Sequence, residues 1–232
     1  MEILLEDRNV IACYKPAGVL SQGDGTSAPD LLSLIEEERQ IKKEELSLIH
    51  RLDRGVSGVM LVSKSKKTAG VLQAAFSDKE DCIKEYFAVV KGLPDKEGEH
   101  TDLLYHDSRI NKTFVVDRMR ARVKEARLSY KLMASVIDEA DGTPVSLVRI
   151  RLYTGRTHQI RAQFSSRRMP ILGDGKYGGS DNRIKNHAIG LASASISLTL
   201  PCGKRERITV RKIPDTELFP WSLFPPEAYN FD

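Results

Sequence analysis

Short apolar runs broken by turn residues set the rhythm of this chain, with no fixed-period repeat and no long polar linker. Ile3 to Leu5 and Val10 to Tyr14 predict two strands, closed by the turn residues of Lys15-Pro16-Ala17-Gly18. Ser27-Ala28-Pro29-Asp30 has capping-box spacing before Leu31, Leu32, Leu34 and Ile35, so a helix is expected to run into the charged face from Glu36 to Lys43. Gly58 to Ser63, with Val59 to Val62 an unbroken apolar run, predicts a buried strand. Ser65 then caps a helix whose buried stripe would be Val71, Leu72, Ala75 and Phe76. From Glu85 to Lys91 the residues alternate, with Tyr86, Ala88 and Val90 on one face. The same alternation over Val145 to Tyr153 ends at Thr154-Gly155-Arg156-Thr157, where Thr157 is expected to cap a helix to Ser166. Ala188 to Leu200 and Arg207 to Ile213 predict two more strands. The sum is an α+β fold with a mixed, largely antiparallel β-sheet flanked by helices.

Length and composition narrow the function. At 232 residues and 41% hydrophobic, the chain can bury a sizeable core, and residues 1–232 are expected to form a single domain. No apolar run approaches the roughly 20 residues that span a bilayer, and the acidic start MEILLEDRNV is unlike a secretory signal. Cys13, Cys82 and Cys202 are odd in number and far apart, which fits a reducing cytoplasm better than a disulfide framework. His50, His158 and His187 have no Cys, Asp or Glu at ligand spacing, so no metal site is expected. No heptad or exposed apolar helix points to an obligate protein partner.

Net charge is only +4, but its distribution is uneven. Arg109 to Lys131 carries a local +6 and Arg149 to His187 a local +7, so the rest of the chain holds −9. Clustered cations of this kind predict a polyanionic partner, or else two solvated faces that lack acids.

Chemistry concentrates in two segments. In Ile49-His50-Arg51-Leu52-Asp53-Arg54-Gly55-Val56-Ser57-Gly58 a carboxylate lies between two guanidiniums just before an apolar strand. Held as the anion, Asp53 is suited to act as nucleophile or base rather than proton donor. In Thr154-Gly155-Arg156-Thr157-His158-Gln159-Ile160-Arg161, Arg161 lies one helical turn beyond the expected cap, placed to meet a carboxylate from another segment. On pattern alone Tyr86 reads as a core tyrosine and Ile160 as a core isoleucine.

These segments, in this order, resemble the pseudouridine synthases of the large-subunit ribosomal RNA type. That family's signature His-Arg-Leu-Asp-Arg-x-Thr-Ser-Gly appears at residues 50–58 as HRLDRGVSG, with Val56 in place of the usual Thr. YKPAGV at 14–19, YFAVVKG at 86–92, GRTHQIRAQF at 155–164 and PILGDGKYGG at 170–179 complete the series. The resemblance implies the pseudouridine synthase catalytic fold with a central cleft, and isomerisation of uridine in rRNA or tRNA without a cofactor. It makes Asp53 the catalytic aspartate, attacking C1′ or removing the C2′ proton, with Arg161 paired to it. Tyr86 would stack on the target base, Ile160 would pack in the same pocket, and Arg51 would stand near a flipped nucleotide. Relatives often carry a small RNA-binding domain before the core; with a core motif already at residue 14, none is expected here. RNA contacts are therefore expected from the basic stretches: Arg118, Arg120, Arg122 and Lys124 in a loop-rich insertion around Asn111 to Arg127, and Arg156, Arg167 and Arg168. A non-catalytic RNA-binding module of the same fold is the alternative class, but a pure binder has no use for a carboxylate that repels phosphate. A phosphate-ester hydrolase with an aspartate nucleophile would need metal-binding carboxylates, and none follows Asp53 within twenty residues.

Overall fold

A computed structural model describes residues 2–42, 45–78, 81–209 and 218–231. Its strands are β1 (Ile3–Glu6), β2 (Val10–Lys15), β3 (Ser47–Leu48), β4 (Ser57–Ser63), β5 (Ile83–Lys91), β6 (Glu97–Asp107), β7 (Lys112–Val116), β8 (Val123–Ile137), β9 (Pro144–Leu152), β10 (Leu191–Thr199) and β11 (Arg205–Thr209). Its α-helices are α1 (Leu31–Arg39), α2 (Lys66–Ser77) and α3 (Gln159–Ser166). Two compact units contain them: residues 1–84, 186–188 and 192–214, and residues 85–185, 189–191 and 215–232.

In the first unit β2 pairs antiparallel with both β1 and β4, β3 pairs with β4, and β10 runs parallel to β4 while pairing antiparallel with β11. Every residue of β4 is buried, which is why its interior, Val59 to Val62, is a continuous apolar run rather than an alternation. Val10, Ala12, Val59, Leu61, Leu72, Ile196 and Leu198 form the core of this unit. Both helices begin on a side-chain cap. Asp30 accepts the Ser33 amide at 3.1 Å and Ser65 accepts the Thr68 amide at 3.2 Å. The cap of α1 is thus Asp30, not Ser27, because Asp30 is the last extended residue before the helix. In α2 the buried stripe is Ala69 and Leu72, while Val71 is 54% exposed. The expected strand Arg207 to Ile213 is found as β11; residues 210–213 lie outside those described.

The second unit is an antiparallel meander with strand order β5-β9-β8-β6-β7. Its segment 111–127, expected to be loop-rich, is instead β7 and the start of β8, two strands of a long ribbon. Helix α3 lies on the ribbon, where Leu104, Ala126, Ala162 and Tyr177 pack together. It starts two residues later than Thr157. His158 occupies the cap position with φ 52° and no side-chain cap bond, and the Thr157 carbonyl accepts the Thr113 hydroxyl at 2.8 Å. The α+β, mixed and largely antiparallel architecture matches the sequence reading.

Candidate active site

The loop before β4 is sewn to the turn after β2 by hydrogen bonds on either side of Asp53. The Leu52 amide donates to the Ser21 hydroxyl at 3.0 Å, and that hydroxyl donates to the Leu52 carbonyl at 2.8 Å. The Gly18 amide donates to the Arg54 carbonyl at 2.8 Å, and Arg54 Nε returns a bond to the Gly18 carbonyl at 3.0 Å. Gly18 adopts φ +87°, and a Cβ there would collide with the Asn186 carbonyl. Gly58, at φ +120°, lets β4 approach Ser193 of β10 so closely that any side chain would overlap its backbone. Two glycines thus set the distance at which the loop is held.

Lys15 contributes a third fastening. Fully buried, its Nζ donates to the carbonyls of Val19 (2.7 Å), Pro16 (3.0 Å) and Arg54 (3.3 Å). Burial pushes the Lys15 ammonium down to about 7, against the pull of the nearby Asp53 carboxylate, which favours the charged form. Asp53 itself is half-buried between exposed Arg51 and Arg54. A carboxylate on a loop pinned at residues 52 and 54 is pre-positioned for chemistry at a fixed point.

His50 is a structural part of this loop. Its Nε2 accepts the Leu61 amide at 3.2 Å, and its ring stacks on Phe76 at 4.4 Å. Desolvation, assisted by Lys84, lowers its pKa from 6.5 to about 3. Because the folded value is depressed, the unfolded chain takes up a proton that the native protein refuses, and stability falls as pH drops from 6.5 toward 3. His50→Gln keeps an acceptor for Leu61 without the titration. Urea unfolding should show the variant losing less stability than wild type between pH 7 and pH 5, by up to about 2 kcal/mol.

In the second unit Tyr86 is buried on β5, opposite Ile150 of β9. Ile160 and Arg161 are buried in α3. Arg161 makes a fork-to-fork pair with Asp174, Nε to Oδ2 at 2.7 Å and Nη2 to Oδ1 at 2.9 Å, with its guanidinium 5.0 Å from the Tyr177 ring centroid. The Tyr177 hydroxyl accepts the Thr113 amide at 2.7 Å and lies 3.1 Å from His158 Nδ1. Gln159 accepts from the Thr154 hydroxyl and the Arg156 amide, and donates to the Arg127 carbonyl. The first turn of α3 is therefore tied to β8 as tightly as the Asp53 loop is tied to β2.

The sequence reading passed over Lys15, Ser21, Asp174 and Tyr177 as individual residues, although YKPAGV and PILGDGKYGG contain three of them. Among the basic candidates, Arg118, Arg120, Arg122 and Lys124 are exposed. Arg167 is instead engaged with Asp102 through two bonds of 2.9 and 3.1 Å, and Arg156 donates to the Glu125 carbonyl at 3.0 Å. Arg168 is exposed just beyond α3, at φ 61°. Among the described residues no group of three or more His, Cys, Asp or Glu could hold a metal ion, and no helix is long and apolar enough to cross a membrane.

Comparison with known proteins places these features in a family. A model of the RNA pseudouridylate synthases matches residues 9–166. The ribosomal large subunit pseudouridine synthase D of Borreliella burgdorferi is 34% identical over 211 residues, covering 87% of this chain and 61% of the relative, so the chain spans less than two thirds of that protein. The tRNA pseudouridine synthase C of Pasteurella multocida is 32% identical over 186 residues, 77% of this chain and 74% of the relative. Among solved structures, human RNA pseudouridylate synthase domain containing 1 shares the fold, with a TM-score of 0.73 at 20% identity over 91% of this chain and 83% of that one. With the family match spanning both the Asp53 loop and the Arg161 helix, this chain belongs to the RNA pseudouridylate synthase family.

Proposed function

We propose that this chain isomerises uridine to pseudouridine in structured RNA, ribosomal or transfer. The observation that carries this reading is Asp53, the family's signature aspartate, on a loop fixed on both sides by Ser21, Gly18 and Lys15. In the reaction the N1 to C1′ bond breaks, the freed base turns, C5 bonds to C1′, and the C5 proton is lost while N1 gains one. The anionic carboxylate serves the ribose, whether by attack at C1′ or by removal of the C2′ proton. Arg161 pairs with the catalytic aspartate, Tyr86 stacks on the extruded base, and Ile160 packs in the same pocket. Arg51, exposed next to the aspartate, contacts the flipped nucleotide or its phosphate. The test is tritium release from RNA labelled at uridine C5. Release into water that depends on the protein is expected; a folded protein that liberates none from rRNA or tRNA lacking the modification would leave only the binding module.

Arg118, Arg120, Arg122 and Lys124 hold the RNA backbone, with Arg156 and Arg168 at its margin. Arg167 contributes less, since Asp102 already neutralises it. Arg120→Ala with Arg122→Ala should lower the slope of log affinity against log salt by about 1.5, as expected for two lost phosphate contacts. An unchanged slope in a filter-binding titration would take both arginines off the RNA path.

A further inference from the structure

The outer face of the β6–β7 ribbon carries an arrangement that phosphate binding does not require. Tyr105 of β6 is paired in register with Phe114 of β7, so the two rings share one face. The neighbouring pair, Leu104 with Val115, points the other way onto the core beneath α3. Phe114 is 40% exposed and Tyr105 half-buried. Cations flank the rings: Arg120 lies 5.2 Å from the Tyr105 centroid, and Lys112 Nζ lies 5.7 Å from that of Phe114 and 5.2 Å from that of Tyr177. Met119, 62% exposed, adds apolar surface in the turn that follows β7.

We infer that this face is a stacking platform for unpaired nucleotides of the substrate RNA. Two adjacent aromatic rings offer π-faces to two splayed bases, and the paired cations meet the phosphates that join them. A duplex cannot use such a platform, because its bases are already stacked on each other. The local excess of positive charge selects a polyanion over an apolar or cationic partner. Aromatic and cationic groups therefore do separable work here: the cations give salt-dependent affinity for any RNA, and the rings give preference for an unpaired segment. This inference rests on RNA being the substrate and adds how the chain recognises where to bind.

The platform is tested by binding to a fluorescent single-stranded RNA and to a duplex of the same sequence, across a range of salt. Phe114→Leu should weaken single-strand binding about tenfold, leave duplex affinity within about twofold and leave the salt slope unchanged. Phe114→Trp should restore single-strand affinity, and quenching of a 2-aminopurine placed in the strand should vanish in Phe114→Leu and return in Phe114→Trp. Equal loss on both RNAs, no loss at all, or a changed salt slope would overturn the platform. Tritium release by the wild-type protein is scored separately. Release with no effect of Phe114→Leu defeats the platform alone, whereas ring-dependent quenching without release defeats the catalytic reading alone.

Discussion

Asp53→Asn should lower tritium release from C5-labelled uridine by at least about 1000-fold, while RNA affinity should stay within about threefold of wild type. The asparagine keeps the size of the side chain and the main-chain bond from the Val56 amide to the residue-53 carbonyl. The loop also keeps its fastenings at Leu52 and Arg54, none of which uses the carboxylate. What is lost is the negative charge and the nucleophilic or basic oxygen. A second consequence follows at Lys15, whose ammonium is supported by the Asp53 charge against the cost of burial. Without that charge Lys15 should titrate below its present value of about 7, which NMR of the labelled lysine would detect. Retained turnover in Asp53→Asn would remove Asp53 from the chemistry; lost turnover together with lost RNA binding would mean that the loop, not the carboxylate, had failed.

Legibility from sequence followed how local the determining physics was. β4 could be read from Gly58 to Ser63 because a strand buried on both faces needs an unbroken apolar run, and the Ser65 cap because it acts over three residues. The β6–β7–β8 ribbon was harder. Its strands are mostly solvated, so polar and charged residues occupy positions that would be apolar in a core, and Asn111 to Arg127 resembled a loop. The start of α3 was misplaced for a different reason: Thr157 has the right chemistry for a cap, but its carbonyl is taken by Thr113, 44 residues away, and the helix begins only after His158 turns left-handed. Charge was the least legible. Arg127, Arg161, Arg167 and Arg183 all fall in the basic stretches, yet each is paired with an acid that a local count cannot assign to it. Exposed cations remain, Arg118, Arg120, Arg122 and Lys124 among them, but with these four arginines paired the free cationic surface is smaller than a count of basic residues implies. Asp53 itself was legible because its signature is contiguous, whereas the parts that hold it, Lys15 and Ser21, come from a turn more than thirty residues earlier.

The same reasoning makes Asp174 the most consequential residue outside the loop. Its carboxylate is 2% exposed and meets an Arg161 side chain that is 11% exposed, so neither charge has water to fall back on. Asp174→Asn leaves a buried guanidinium facing a neutral amide in place of its fork-to-fork carboxylate. Breaking one side of such a pair costs about 3–5 kcal/mol, enough to lower the melting temperature by roughly 10 °C in a protein of this size. Removing both partners is different, because packed apolar residues of similar volume often match a buried ion pair in stability. Asp174→Leu with Arg161→Met should therefore regain most of the lost melting temperature. It should not regain turnover, since in the proposed mechanism Arg161 meets Asp53 as well as Asp174. Calorimetry and tritium release on the single and double variants separate the two roles: recovery of both stability and turnover in the double variant would make Arg161 purely structural, and recovery of neither would mean that the pair specifies the packing of α3 itself.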